Sequence, residues 1–298
     1  MTDPRVAKAI RCPECASRVS ADAVALRCAG CGESYEVLDG IPIMLPREGA
    51  TEHKVAQAAF FDSEDTEWEI ERPVGAPSLH AWLLAEKFRR STQRLGIAGA
   101  SVLTVCGGSG MDGEFLARAG ARTVTTDLSL EACRRARERA RRHDVALIPV
   151  VADVERLPFA DRSFDVVYVH DGLHHLEDPY AGVAEMARVA RVAVSITEPA
   201  AAAVTRLALR LGIAERVEEA GNPVNRLTAS GLRTELERHD FRILSASRYA
   251  MFYRHRPGAL TSLLSVEPLY TVSRSAVRAA NAVGGRLGNK LNVQAVRA

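Results

Sequence analysis

Residues 102–120 read VLTVCGGSGMDGEFLARAG: a short apolar run, a glycine-rich turn, then apolar positions at helical spacing. Glycines let a chain pass from strand to helix with no Cβ in the way, and the helix start offers free N–H groups to a bound molecule. Outward from this stretch the pattern repeats. The apolar runs SVLTVC (101–106), RTVTTD (122–127), ALIPVVA (146–152), SFDVVYVH (163–170) and RVAVSIT (191–197) alternate with segments of helical period such as LEACRRARERARRH. This alternation predicts a parallel sheet with helices on both faces. A helix is expected over 78–95 and an Ala-rich helical segment after Thr197. Another helix, capped by Thr228, is expected in LTASGLRTELERHDF (227–241). Helical structure follows over 254–287, with a closing strand in NKLNVQAV (289–296).

Gly108, Gly110 and Gly113 fit the pattern G-x-G-x-x-G, and Asp127 ends the next apolar run nineteen residues after Gly108. A carboxylate there can accept hydrogen bonds from both hydroxyls of a ribose. That serves a nicotinamide dinucleotide and S-adenosyl-L-methionine equally, so the glycine pattern leaves both open.

The stretch ADVERLPFADRSFDVVYVHDGLHHLEDP (152–179) narrows the choice, because it closely resembles the class I S-adenosylmethionine-dependent methyltransferases. The resemblance runs from about residue 80 to 298. It implies a Rossmann-like α/β fold with a seven-stranded sheet whose last strand is antiparallel. It also implies that S-adenosyl-L-methionine is held by Val105, Cys106, Gly107, Gly108, Gly110, Asp127, Leu128, Asp153, Val154 and His170. Asp127 would take the ribose and Asp153 the adenine amine, with His170 beside the methionine part. Thr104 stands where the family usually carries an acidic residue, and Cys106 where it carries glycine. His174 and His175 are the candidate general bases, since a histidine titrates near neutrality. Asp171 lies at the same pocket edge, and Glu198 is a further candidate to face the acceptor.

The chain has 298 residues, which suggests about two units at roughly 150 residues each. The boundaries read as 1–46, 47–77 and 78–298, the last with a helical insertion near 254–287. The first unit holds Cys12, Cys15, Cys28 and Cys31, two C-x-x-C pairs separated by twelve residues. Such pairs aim four thiolates at one tetrahedral zinc, a closed structural site rather than a catalytic one. CPEC…CAGCGESYEVLDGIPIMLP looks like the small zinc-ribbon units related to the Trm112 family, which implies a structural or partner-docking role beside methyltransferases. Residues 47–77 read as a linker with a short helical patch at 55–61.

Lys and Arg total 39 against 37 acids, a net charge of +2 that does not demand nucleic acid as a partner. The six arginines of RRARERARR (134–142) read as a solvated helix face. The 254–298 segment carries seven Lys or Arg against Glu267 alone, and reads as a lid over the acceptor site. No apolar run reaches the length of a membrane span and no secretory leader is seen, which makes the expected location cytoplasmic. The expected acceptor is a small or lipid-like molecule. The alternative is a ribosomal RNA base, because some RNA guanine methyltransferases also join a zinc unit to this fold. The sequence leaves the oligomeric state open.

Overall fold

The protein is described from a computed structural model, which covers residues 4–21, 25–200 and 227–298. The segment expected to be Ala-rich helix after Thr197 falls mostly on 201–226, outside the described residues.

The expected runs form β5 (Ser101–Thr104), β6 (Arg122–Asp127), β7 (Leu147–Ala152), β8 (Phe164–His170) and β9 (Ala190–Pro199), with β10 (Phe241–Tyr249) and β11 (Lys290–Arg297) near the C-terminus. Their order across the sheet is β7-β6-β5-β8-β9-β11-β10. The first five are mutually parallel, and β11 is antiparallel to both its neighbours. β5 therefore lies mid-sheet, beside the point where the chain's winding reverses direction. In an open α/β sheet the crevice at such a point is where a ligand binds. α5 (Met111–Arg118) follows β5, α6 (Leu130–Arg142) follows β6, and α7 (Pro179–Val189) follows β8. α8 (Ala229–Arg238) starts as expected at Thr228, whose hydroxyl accepts from the Gly231 N–H at 3.0 Å.

The sheet has eleven strands rather than seven. The extra four are β1 (Val19–Ala21), β2 (Ala25–Cys28), β3 (Ser34–Leu38) and β4 (Ile41–Met44) of the cysteine-bearing unit. Asp39 and Gly40, both at positive φ, make the tight turn from β3 to β4. β4 then pairs with β7 in parallel, Ile43 opposite Val151 and Met44 opposite Ala152. An open sheet edge left by β7 is thereby covered. The two parts also share one core: Val6, Ile10, Leu26 and Tyr35 cluster with Leu157 and Phe159.

Residues 47–77 are more than a tether. They carry α2 (Glu52–Asp62) and α3 (Thr66–Glu71), both packed against α6. The arginines of α6 explain the docking and correct the reading of a solvated face. Arg139 is completely buried: it donates to the Arg72 carbonyl at 2.8 Å, to the Glu69 carbonyl, and to the Glu114 carboxylate at 2.7 Å. Arg142 reaches Glu67 at 2.8 Å and Glu71 at 2.9 Å. α4 (Ser78–Thr92) matches the helix expected over 78–95. The insertion holds α9 (Ala259–Leu263) and α10 (Leu269–Gly284), between β10 and β11. No helix among the described residues is long and apolar enough to cross a membrane.

Candidate functional site

Above the C-terminal ends of β5, β6 and β8 lie two adjoining chambers that share Phe61, Cys106, Asp127 and His175 in their walls. The first, about 560 Å³, is lined by Leu128, Ala152, Asp153 and Val154 from the sheet and by His53, Lys54 and Gln57 from α2. The second, about 1170 Å³ counted to its open mouth, takes in Gly107, Gly108, His170, His174 and residues of the insertion.

The glycine loop is held from several directions. Asp127 accepts from the Gly108 N–H at 2.8 Å and the Ser129 N–H at 2.9 Å. Burial pushes its carboxyl upward against these two bonds. Gly107 sits so close to β6 that a Cβ would lie 2.0 Å from the Thr125 hydroxyl. Thr104, in the place of the usual acidic residue, is buried and donates to Thr125 at 2.7 Å. Two arginines that sequence reasoning passed over brace the loop from α6: Arg135 donates to the Ser109 hydroxyl at 3.0 Å and Arg139 to the Ser109 carbonyl at 2.8 Å. Their apolar-patterned helix gave the signal, since arginines on its inner face need acceptors at the sheet end.

Cys106 adopts φ 49°, the left-handed region that favours glycine, and a Cβ on Gly172 would come 2.3 Å from its own Cβ. Burial, with Asp127 and Glu198 nearby, pushes its thiol well up, so Cys106 is a neutral packing group. Val105 and Gly110 lie below the loop. Val105 is in the main core and donates to the Tyr168 carbonyl, while Gly110 abuts Leu147 and Ala136. Neither lines the two chambers.

At the first chamber's floor Asp153 caps a short turn, accepting from the Glu155 N–H at 2.9 Å. Its other oxygen accepts from Lys54 at 2.6 Å, and Lys54 also pairs with Glu155. Lys54 was not foreseen, because α2 lies far from the motif in sequence.

The second chamber holds a connected set of polar groups. Glu198, at the end of β9, is fully buried. One oxygen accepts from the Gly172 N–H at 3.0 Å and the Leu173 N–H at 2.8 Å; the other meets His174 Nδ1 at 2.7 Å. With Glu198 as a carboxylate, which can only accept, this contact assigns the Nδ1 proton to His174. His175 packs edge-on against Phe61 instead, at 5.5 Å. Asp171, at φ 54°, pairs with Lys290 and lies 3.3 Å from His170. Burial would raise the Asp171 carboxyl, but Lys290 and His170 hold it well below the usual range. Burial and Lys87 push His170 downward, towards the neutral form. Glu69 enters from α3. Burial pushes its carboxyl up, but His255 and Arg72 prevail and bring it to about 2. Asp112 Oδ1, also lining this chamber, is buried without a hydrogen-bond partner.

In the N-terminal unit the four thiols converge. All four sulfurs lie within 4.8 Å of one another, with Cys12–Cys31 at 3.6 Å and Cys15–Cys28 at 3.4 Å. Disulfide sulfurs would be about 2.05 Å apart, whereas thiolates on one zinc at about 2.3 Å stand roughly 3.7 Å from each other. Backbone N–H groups of Gly30 and Cys31 point at Cys28 Sγ from 3.3 and 3.4 Å, as in a metal-binding knuckle.

Comparison with known proteins places the domain and the fold. Residues 103–194 match the methyltransferase domain family. A demethylmenaquinone methyltransferase of Corynebacterium urealyticum is 42% identical over 104 residues, 35% of this chain and 43% of that protein. The chain thus spans less than half the length of the curated relatives it matches. Among solved structures, the cyclase SpnF has a TM-score of 0.55 at 16% identity, covering 81% of this chain and 96% of its own. The magnesium protoporphyrin IX methyltransferase of Synechocystis, solved with bound SAH, has a TM-score of 0.54 at 17% identity, covering 83% and 100%. These likenesses establish the fold. The chain carries a methyltransferase domain over residues 103–194, set in the α/β fold that these solved proteins share.

Proposed function

We propose that the protein transfers the methyl group of S-adenosyl-L-methionine to a small, lipid-like acceptor, with His174 as general base and Glu198 as the group that orients it. The observation that carries this reading is the meeting of two chambers at Cys106 and Asp127, one suited to an adenosyl group and the other holding a buried histidine–carboxylate pair. The residues fit the cofactor: Asp127 reaches the ribose, Asp153 and Val154 the adenine, and Gly107 and Gly108 allow close approach. His170 borders the methionine end, where Asp112 offers the carboxylate that Thr104 lacks. When bound, the sulfonium supplies an already activated methyl, so the protein's part is alignment and removal of water. His174 would take the proton that the acceptor gives up as its bond to the methyl carbon forms and the carbon–sulfur bond breaks, S-adenosyl-L-homocysteine leaving, and Glu198 would stabilise the imidazolium that results.

The acceptor class rests on the relative named for demethylmenaquinone. The cysteine unit holds a structural zinc through Cys12, Cys15, Cys28 and Cys31 in a Trm112-like ribbon. A cytoplasmic setting, which keeps thiols reduced, suits that ligand set. The test is calorimetry with S-adenosyl-L-methionine, then transfer of tritiated methyl to demethylmenaquinone dispersed in detergent and to a lipid extract. Binding without transfer to either would leave a cofactor-binding protein and end the enzyme reading.

A further inference from the structure

α10 carries apolar groups on both of its sides. On the inward side Tyr270 and Val277 pack on the cluster of Leu79, Leu83, Tyr249 and Met251, among polar groups. Arg274 lies over the rings of Trp82 and Tyr270 at 5.4 and 5.1 Å, and Arg278 over Trp82 at 5.6 Å. Asn281 exchanges hydrogen bonds with the backbone of Ala250 at 2.8 and 3.0 Å. The opposite side is an apolar stripe of helical spacing, Leu269, Val272, Ala276, Ala279 and Val283, all exposed, with Val283 at 93% and Val272 at 61%. A helix normally buries such a stripe. Beside it stand Leu260, Leu263 and Val266, also exposed, and Phe252 at 76%. Exposed aliphatic groups gathered in this way mark a surface that meets something apolar.

We infer that the α9–α10 face docks on a bilayer surface carrying anionic lipid, and so delivers the acceptor from the membrane to the second chamber. Charge selects this occupant. Residues 252–287 hold five arginines against Glu267 alone; Arg274 and Arg278 are taken up on the inward side and Arg256 by Asp65, which leaves the exposed Arg254 and Arg286 for lipid phosphates. Apolar side chains sunk to the level of the headgroups, with arginines among the phosphates, is how an interfacial helix binds. Position selects it too. Phe252 immediately precedes Tyr253, and Tyr253 and His255 line the second chamber, so the apolar face runs up to the chamber's mouth. The delivery step rests on the lipid-like acceptor proposed above; the docking itself does not.

The experiment is flotation of the full chain with vesicles of phosphatidylcholine alone or mixed with phosphatidylglycerol. The chain should float with the mixed vesicles, less so in high salt. The exposed double variant Val272→Asp, Val283→Asp should float at least about tenfold less while binding S-adenosyl-L-methionine unchanged. The docking is overturned if the wild type stays behind with both vesicles, or if the variant floats equally well. It is also overturned if sedimentation shows a dimer that the same substitutions dissolve, which would give the face to a second copy. A chain that floats but methylates nothing refutes only the enzyme reading. One that methylates detergent-dispersed acceptor without floating refutes only the docking.

Discussion

The two chambers meet at Cys106 yet are built on opposite principles. The first is walled on the sheet side by residues of consecutive motifs, Asp127, Leu128, Asp153 and Val154, whose carboxylates cap local turns, while α2 adds contacts from a distance, through His53 and Lys54. The second is assembled from distant pieces: Glu69 and Arg72 from the α3 region, Lys87 from α4, Pro199 from β9, Tyr253 and His255 from the insertion, and Lys290 from β11, with Glu198 buried behind His174. Its charges compensate one another across more than a hundred residues of chain, as in the Lys290–Asp171 pair. A ligand shared by many proteins needs the first kind of site, and an acceptor peculiar to one protein needs the second.

If this division is right, substitutions in the two chambers should separate binding from turnover. Asp127→Ala should have the largest effect. It removes the ribose acceptor and leaves the Gly108 and Ser129 N–H groups unpaired, and should weaken S-adenosyl-L-methionine by about a thousandfold, roughly 4 kcal/mol. Calorimetry reads this directly; an unchanged affinity would remove Asp127 from the cofactor site. Glu198→Gln should do the reverse. Its amide oxygen can still accept from Gly172 and Leu173, so the fold and cofactor affinity should persist. The histidine loses its carboxylate partner, and kcat should fall by about a hundredfold. Equal losses in cofactor affinity and kcat would show that the chambers are not separable.

The contrast also describes what could be read from the sequence. The alternation of strands and helices and the glycine loop were legible because each lies within a short run whose period or spacing carries the information, and the family resemblance pointed to Asp153, which lines the first chamber. The place of β4 was not. A four-residue apolar strand can close a ribbon or cover a sheet edge with the same pattern, and only the far edge of β7 decides. The docking of α2 and α3 was hidden for a similar reason, since it depends on carbonyls and carboxylates that meet Arg139 and Arg142 only after folding. An arginine run reads as solvated until its acceptors are known. His174 was legible as a candidate base, but its pairing with Glu198 was not, since the two meet only when β9 lies beside β8.

A weaker effect should mark the wall behind the second chamber. His80 on α4 is buried against Trp68 and Tyr253, and neither ring nitrogen has a hydrogen-bond partner. Burial, with Arg72 and His255 near, lowers it to about 4 from an ordinary 6.5. The unfolded chain therefore takes up a proton at higher pH than the folded one. The associated stability is fully present above about pH 6.5 and is lost as pH falls towards 4, by about 2 kcal/mol. Urea titrations across this range should show the slope, and His80→Leu should flatten it.

The smallest expected change lies in the first chamber and concerns Lys54. Its ammonium group is held by Asp153 and Glu155, with only 15% of the side chain exposed, at the carboxylate assigned to the adenine amine. Asp153 has one oxygen committed to the Glu155 N–H and the other to Lys54. An incoming adenine must therefore displace Lys54 or share that oxygen with it. Lys54 keeps Glu155 as its partner when the adenine takes the shared oxygen, so the ammonium group is not left unpaired. Lys54→Met keeps the aliphatic stem that α2 lays over the chamber and removes the competing donor, and should tighten S-adenosyl-L-methionine by about threefold, near 0.6 kcal/mol. Adenosine alone should gain by the same factor, because the effect acts at the base. A loss of affinity instead would mean that Lys54 orients Asp153 for the ligand, and that this chamber too depends on a contact made across the fold.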